Sequence, residues 1–106
     1  MAEGPDELPV QLLDIDRIVH EPARLVILTQ LYVVKHADFL FLMRQTGLTQ
    51  GNLSSHLSKL ESAGYVDVKK EFIGKRPRTV LRLSETGRMA IDEYTTSMKH
   101  LLNGIK

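Results

Sequence analysis

The chain has 106 residues, a formal net charge of +1 and no cysteine. That length accommodates one domain with a small core. The lack of cysteine excludes disulfides, thiolate metal sites and cysteine nucleophiles, and it fits a reducing compartment better than secretion. No apolar run is long enough for a membrane span and the N-terminus lacks a signal-peptide pattern, so we expect a cytoplasmic protein without membrane contact.

The N-terminal region divides into an arm and a first helix. Residues 1–11 contain Gly4, Pro5 and Pro9, and we expect them to form a flexible arm. The remaining residues, 12–106, are predicted to form the domain. Its first apolar residues recur at helical spacing and predict a short helix: Leu12, Ile15, Ile18 and Val19.

A second helix is predicted to begin near Pro22, because proline is tolerated in the first helical turn but not later. Four residues give this helix an apolar stripe: Leu25, Leu28, Leu31 and Tyr32. Val33, Val34 and Ala37 follow and are compatible with a short extended bridge. The bridge would lead directly into the next helix.

Residues 38–60 predict two further helices joined by a three-residue turn. Asp38 is a suitable N-cap for the third helix, and Gly47 suits a left-handed helix stop. Thr49 is the predicted N-cap of the fourth helix, which is expected to end at Ala63 and Gly64. A helix, a tight turn and a second helix is an arrangement typical of proteins that bind duplex DNA.

The fourth helix has two different faces. Leu57 and Leu60 fall within about 40° of Leu53 on a helical wheel, and the three leucines predict a narrow core stripe. The other positions are small or polar, which favours entry into a major groove over an ordinary solvated face rich in Glu and Lys. The candidate DNA contacts on this helix are Thr49, Gln50, Gly51, Asn52, Ser54, Ser55, His56, Ser58 and Lys59. His56 has two interpretations: contact with a phosphate or packing against the next helix.

A basic hairpin follows. Residues 65–72 alternate, with Val66, Val68 and Phe72 on one face, and the partner strand carries Thr79, Leu81 and Leu83. Residues 72–79 are predicted to be the connecting loop. Six basic residues and one acidic residue lie between positions 69 and 82, a local charge of +5 that suits a polyanion. The candidate contacts to the DNA backbone and minor groove are Lys75, Arg76 and Arg78.

A last helix is predicted from about residue 84 to 106, capped by Ser84. Its apolar residues are spaced alternately by three and four, as in a coiled-coil seam: Ile91, Tyr94, Met98, Leu101 and Ile105. Such a stripe either covers the domain's own core or pairs with a second copy. We favour a homodimer in which Leu12 and Ile15 of the first helix join this seam. A dimer would place two fourth helices roughly 34 Å apart and would require a pseudo-palindromic operator.

Several of these segments resemble the small winged-helix transcriptional regulators of the MarR/ArsR superfamily. The resemblance lies in the segments at 20–25 (HEPARL), 49–66 (TQGNLSSHLSKLESAGYV), 74–79 (GKRPRT) and 83–87 (LSETG), and it extends over about residues 12–95. It implies an α+β, mostly helical fold: a winged helix-turn-helix with a two-stranded or three-stranded antiparallel wing and a long C-terminal dimerisation helix. It also implies a dimeric regulator that binds specific double-stranded DNA.

The sequence also bears on functions other than DNA binding. A winged helix that serves protein–protein interaction is the alternative. It predicts a large apolar patch on the fourth helix or the hairpin, where only Phe72 and Ile73 hint at one. No nucleophile elbow or phosphate loop is present, so we expect neither catalysis nor catalytic residues. Metal sensors of the superfamily use cysteines or paired His and Asp residues, whereas the last helix has only His100, so we expect no metal or cofactor. The operator, the regulated genes, the sign of regulation and any small-molecule effector are not encoded in these patterns.

Overall fold

The computed structural model describes residues 14–105, which form four helices and one three-stranded sheet. In chain order the elements are α1 (Pro22–Val34), β1 (His36–Asp38), α2 (Phe39–Thr46), α3 (Gln50–Ser62), β2 (Val66–Ile73), β3 (Arg76–Leu83) and α4 (Glu85–Asn103). The predicted fold class is confirmed, including the third strand and the long last helix. Leu12 and the predicted arm (1–11) lie outside the described residues.

The predicted first helix is wrong over its described part, because residues 14–21 form turns. The Asp16 carboxylate accepts hydrogen bonds from the backbone N–H groups of Ile18 at 2.8 Å and Val19 at 3.2 Å. Such a side-chain bond to nearby backbone competes with helix formation. Ile15 and Val19 are nevertheless buried, so the apolar spacing reports contact with the core.

Short polar residues cap the beginnings of α2, α3 and α4, as predicted. Asp38 accepts a hydrogen bond from the N–H of Phe41 at 2.7 Å, Thr49 from that of Asn52, and Ser84 from that of Gly87. These bonds satisfy backbone donors that a helix leaves unpaired in its first turn. Gly47 follows α2 with φ of 72°, a conformation that favours glycine. The turn between α2 and α3 is therefore specified locally.

The sheet is antiparallel with the strand order β1-β3-β2, so β3 is central. Ala37 pairs with Leu81 and Val66 with Leu83, and all four side chains are buried toward the helices. The predicted loop over residues 72–79 is too long. The strands run on until Ile73 pairs with Arg76, leaving only Gly74 and Lys75 as the turn. Gly74 has φ of 65° at the first turn position, the position where type II′ hairpin turns favour glycine.

The core lies between the helices and one face of this sheet. Its largest fully buried side chains are Val19, Ile27, Leu28, Leu31, Leu42, Leu53, Leu60, Val66 and Leu81. Leu53, Leu57 and Leu60 are all buried, which confirms the predicted core stripe of α3. The opposite face of α3 is consequently the one that is turned outward.

Candidate nucleic-acid interface

The outer face of α3 has the predicted composition. Eight of the nine candidate residues on or just before this helix are exposed, and His56 is half-buried. Gln50, Ser54 and Ser58 follow one another at four-residue spacing and so form one row along the helix. The exposed row is made of short side chains, which allow the helix backbone to approach a groove closely.

This row faces the hairpin across an open cleft. Gln50, Ser54 and Ser58 line one side of the cleft, and Lys70 and Thr79 line the other. Lys70 is absent from the candidates named from the sequence, although its position gave the signal. It shares the strand face of Val66 and Val68, and that face packs on α3. The structure thus adds one lysine to the surface beside the outer face of α3.

His56 faces the domain instead of the outer surface. The guanidinium Nη1 of Arg24 lies 3.1 Å from His56 Nδ1, and the Glu21 carboxylate lies 4.0 Å from the same nitrogen. Because arginine can only donate, Nδ1 accepts and the ring proton lies on Nε2. His56 thus contacts the beginning of α1, an earlier helix than the next helix that was expected. Its contact with a phosphate stays a prediction.

Arg24 is the one charged side chain that is buried among the described residues. Its Nε donates to the carbonyl of Ile18 at 2.7 Å, and its backbone N–H donates to Glu21 at 2.7 Å. That backbone hydrogen bond is the main reason why the pKa of Glu21 lies below its usual value. Arg24 therefore links α3 to the N-terminal turns through α1.

The three candidate cations of the hairpin have different surroundings. Lys75 lies in the two-residue turn and Arg76 begins β3, and both are exposed. Arg78 is half-buried, with its Nε 3.7 Å from the Glu71 carboxylate and 4.0 Å from that of Asp38. The charge of Arg78 is accordingly shared within the sheet, while Lys75 and Arg76 present theirs at the end of the hairpin.

A hydrogen bond joins the base of the hairpin to the N-terminal turns. The Tyr65 hydroxyl donates to the carboxylate of Asp16, which also caps the turn at Ile18. This hydrogen bond, together with burial, raises the pKa of Tyr65 to about 12. The contact holds the start of β2 against the domain and leaves the far end of the hairpin projecting.

The predicted seam on α4 is divided between two environments. Ile91 is buried in the domain's own core, and the Tyr94 hydroxyl lies 2.8 Å from His20 Nδ1. Met98 and Leu101 are half-buried, whereas Ile105 is 74% exposed. Leu102, which the spacing did not select, is 52% exposed beside them. The available apolar stripe therefore begins near Met98.

Other kinds of site find little support in the part of the chain that the structure describes. Within residues 14–105, no group of three His, Asp or Glu side chains is arranged to hold a metal ion. None of the helices formed by those residues has the length and apolar character needed to cross a membrane.

A capped helix-turn-helix, a projecting basic hairpin and a three-stranded sheet together define a winged helix-turn-helix domain. In this class α3 is the recognition helix and the hairpin (residues 66–83) is the wing. The family model described as "Winged helix DNA-binding domain" matches residues 23–102. The chain therefore belongs to the winged helix DNA-binding domain family.

Relatives agree with this assignment. An uncharacterised protein of Methanocaldococcus jannaschii is 34% identical over 90 residues, which are 85% of this chain and 98% of that protein. A transcriptional regulator homologue from Pyrococcus horikoshii OT3 superimposes with a TM-score of 0.85 at 33% identity, over 91% of this chain and 97% of the other. A MarR-family structure from Enterococcus faecalis V583 shares the fold, with a TM-score of 0.70 at 20% identity over 99% and 90% of the two chains. The resemblance to the fold of MarR/ArsR-type winged helices is confirmed, and the family of this chain is that of a DNA-binding domain.

Proposed function

We propose that this protein is a homodimeric transcriptional regulator that recognises a specific pseudo-palindromic site in double-stranded DNA. The observation that carries the proposal is the outer face of α3, where exposed short polar residues stand beside a projecting basic wing. Gln and Asn side chains can pair with adenine edges, and Ser can donate to phosphates. The family and the regulator homologue support the same reading.

The two parts of the interface have different tasks in this proposal. Residues 49–59 of the recognition helix enter the major groove and read bases, with Lys70 directed at the adjacent phosphates. Lys75 and Arg76 contact the backbone and the minor groove, and they supply affinity that falls with salt. Arg78 supports the wing through Glu71 and Asp38, so its contribution to DNA contact is secondary to Arg76.

The dimer is proposed because one recognition helix reads too few base pairs for a specific site. The proposed contact is the apolar end of α4, formed by Met98, Leu101 and Leu102, with Ile105 in the turn that follows the helix. Leu12 and Ile15 were expected to join it. Ile15 is buried within its own domain, so α4 carries the proposed contact. A cytoplasmic location, in reach of chromosomal DNA, belongs to the same proposal.

Selection of duplex fragments from the source genome by the purified protein tests this function. We expect the recovered fragments to share two inverted half-sites whose centres are about 10 base pairs, or one helical turn, apart. Titration of a recovered duplex and a shuffled duplex at one salt concentration should then show clear discrimination. Asn52→Ala should reduce that discrimination, whereas Asn103→Ala, at the end of α4, should not. Equal affinity for both duplexes would refute specific recognition.

A further inference from the structure

The far end of the wing carries apolar side chains where a hairpin usually carries polar ones. Phe72 is 72% exposed and Ile73 is 55% exposed, and they directly precede the turn at Gly74 and Lys75. Phe72 pairs with Pro77 across the hairpin, so two apolar side chains share one strand face there. Single exposed apolar residues are ordinary, but a contiguous group at a projecting end indicates a binding surface. Residues 72–77 are called the wing tip below.

The wing tip is oriented toward the proposed DNA surface. The face that carries Phe72 and Pro77 is the one that carries Lys70 and Thr79, which line the cleft with α3. Phe72 and Pro77 are the next pair along that face, beyond the last residues that contact the cleft. If α3 lies in a major groove, this face of the wing is directed at the neighbouring minor groove.

The charges around the wing tip select its partner. Lys70, Lys75 and Arg76 are exposed beside the apolar residues. The nearest carboxylate on the wing, Glu71, is engaged by Arg78 at 3.7 Å and Lys69 at 3.9 Å. An apolar end ringed by cations complements a polyanion with apolar flat surfaces inside it, which describes duplex DNA better than a protein surface.

We propose that Phe72, together with its cross-strand neighbour Pro77, is an apolar wedge that enters the minor groove and bends the DNA at a base step. Phe, Ile and Pro are among the residues that insert between base steps, unstack them partly and kink the duplex toward the major groove. Flexible pyrimidine–purine steps are bent at the lowest cost, so the wedge adds sequence preference where no base edge is read. This inference rests on the proposed function, and it assigns the exposed apolar residues to DNA instead of to a protein partner.

The test measures curvature separately from affinity. A short duplex from the selected fragments, labelled at its ends for energy transfer, reports bending as the full-length protein is added. We expect the wild-type protein to shorten the end-to-end distance. Phe72→Ala should leave the bound duplex nearly straight and weaken binding about tenfold. Phe72→Leu, which keeps an apolar wedge, should retain most of the bend.

Two controls keep the outcome interpretable. Val33→Ala removes a side chain that is 78% exposed on α1 and should change neither curvature nor affinity. Circular dichroism should show that Phe72→Ala is folded, since the exposed side chain contributes little to the core. Equal bending by Phe72→Ala and wild-type protein would overturn the wedge, and so would a bound duplex that stays straight with wild-type protein. Either result would leave the proposed function standing. Loss of self-association instead of curvature in Phe72→Ala would assign the wing tip to a protein contact, and failure of wild-type protein to bind any selected duplex would overturn both proposals.

Discussion

Two glycines lie inside the described helices, and their surroundings differ. A Cβ on Gly51, in the first turn of α3, would meet no atom within 4 Å. A Cβ on Gly87, in the first turn of α4, would collide with the backbone carbonyl of Tyr65 and with the Leu83 side chain. That carbonyl also accepts the N–H of Ser84 at 3.0 Å, so α4 begins directly against the base of the wing. Gly87 permits this close approach of α4 to the wing. Gly51 leaves the outer face of α3 without a projecting side chain at that position.

Substitution of these glycines separates the two roles. Gly87→Ala should lower the free energy of unfolding by about 2 kcal/mol or more, because backbone must move to admit the methyl group. Gly51→Ala should instead raise it by roughly 0.5 kcal/mol through better helix propensity. Urea denaturation of both variants measures the difference. Equal stability of the two variants would contradict the close contact at Gly87, whereas a Gly51→Ala protein that is stable but binds DNA less well would support the groove reading.

At the level of elements, local chemistry predicts most of this fold. Caps at Asp38, Thr49 and Ser84 and the stop at Gly47 are read from single residue types, and the structure confirms them. The predicted first helix is wrong over its described part, because apolar spacing does not reveal that the Asp16 carboxylate accepts hydrogen bonds from the backbone N–H groups of Ile18 and Val19. The predicted wing loop is too long, because Arg76, Pro77 and Arg78 have the residue types of a loop. In the structure they belong to the central strand β3 and pair with β2.

The candidate site was predictable in part for similar reasons. The wheel of α3 separates the buried leucines from the exposed residues without tertiary information. The pairing of His56 with Arg24, and of Arg78 with Glu71 and Asp38, joins residues distant in sequence. A count of charges in the sequence treats Arg78 as equal to Lys75 and Arg76. Only the fold shows which charges are already shared.

The contact between Tyr65 and Asp16 predicts an alkaline limit for stability. The folded protein raises the pKa of Tyr65 from 10.0 to about 12, so it stabilises the neutral phenol that donates to Asp16. This contribution is complete below pH 10 and is lost as the pH rises from 10 to about 12. Tyr65→Phe should cost about 1 kcal/mol at neutral pH and reduce the alkaline loss. Urea titrations across this pH range measure both, and an unchanged alkaline profile in Tyr65→Phe would contradict the assignment.

At the scale of the whole molecule, the second half of α4 extends past the domain core. Buried contacts hold the helix through Ile91, while Leu102 remains exposed one turn after Met98 and Ile105 remains exposed in the turn after Asn103. An exposed apolar stripe of this spacing is stabilised when a second copy covers it. In the proposed dimer the two recognition helices bind together. The dimer would therefore bind a site with two half-sites more tightly than one copy binds a single half-site.

Leu102→Lys tests the proposed pairing. Sedimentation should show a dimer for the wild-type protein and a larger monomer fraction for Leu102→Lys, since a charge in the seam is poorly solvated. Binding to a duplex with both half-sites should weaken more than binding to a single half-site. Val33→Lys places the same charge on an exposed apolar position of α1 and should leave the mass unchanged. A monomeric wild-type protein at all concentrations would refute the dimer.

The proposed binding of duplex DNA by the cations at the end of the wing can be tested with two matched arginines on one strand. Arg76 and Arg82 are both exposed on β3, on the same strand face, but Arg76 lies at the wing tip and Arg82 at the base beside Asp67. The measurement is the dependence of duplex affinity on salt for Arg76→Ala, Arg82→Ala and wild-type protein. We expect Arg76→Ala to weaken binding on all sequences and to lower the salt slope by about one. Arg82→Ala should behave as wild type, and equal salt slopes for all three proteins would contradict the proposed contact between the wing and DNA.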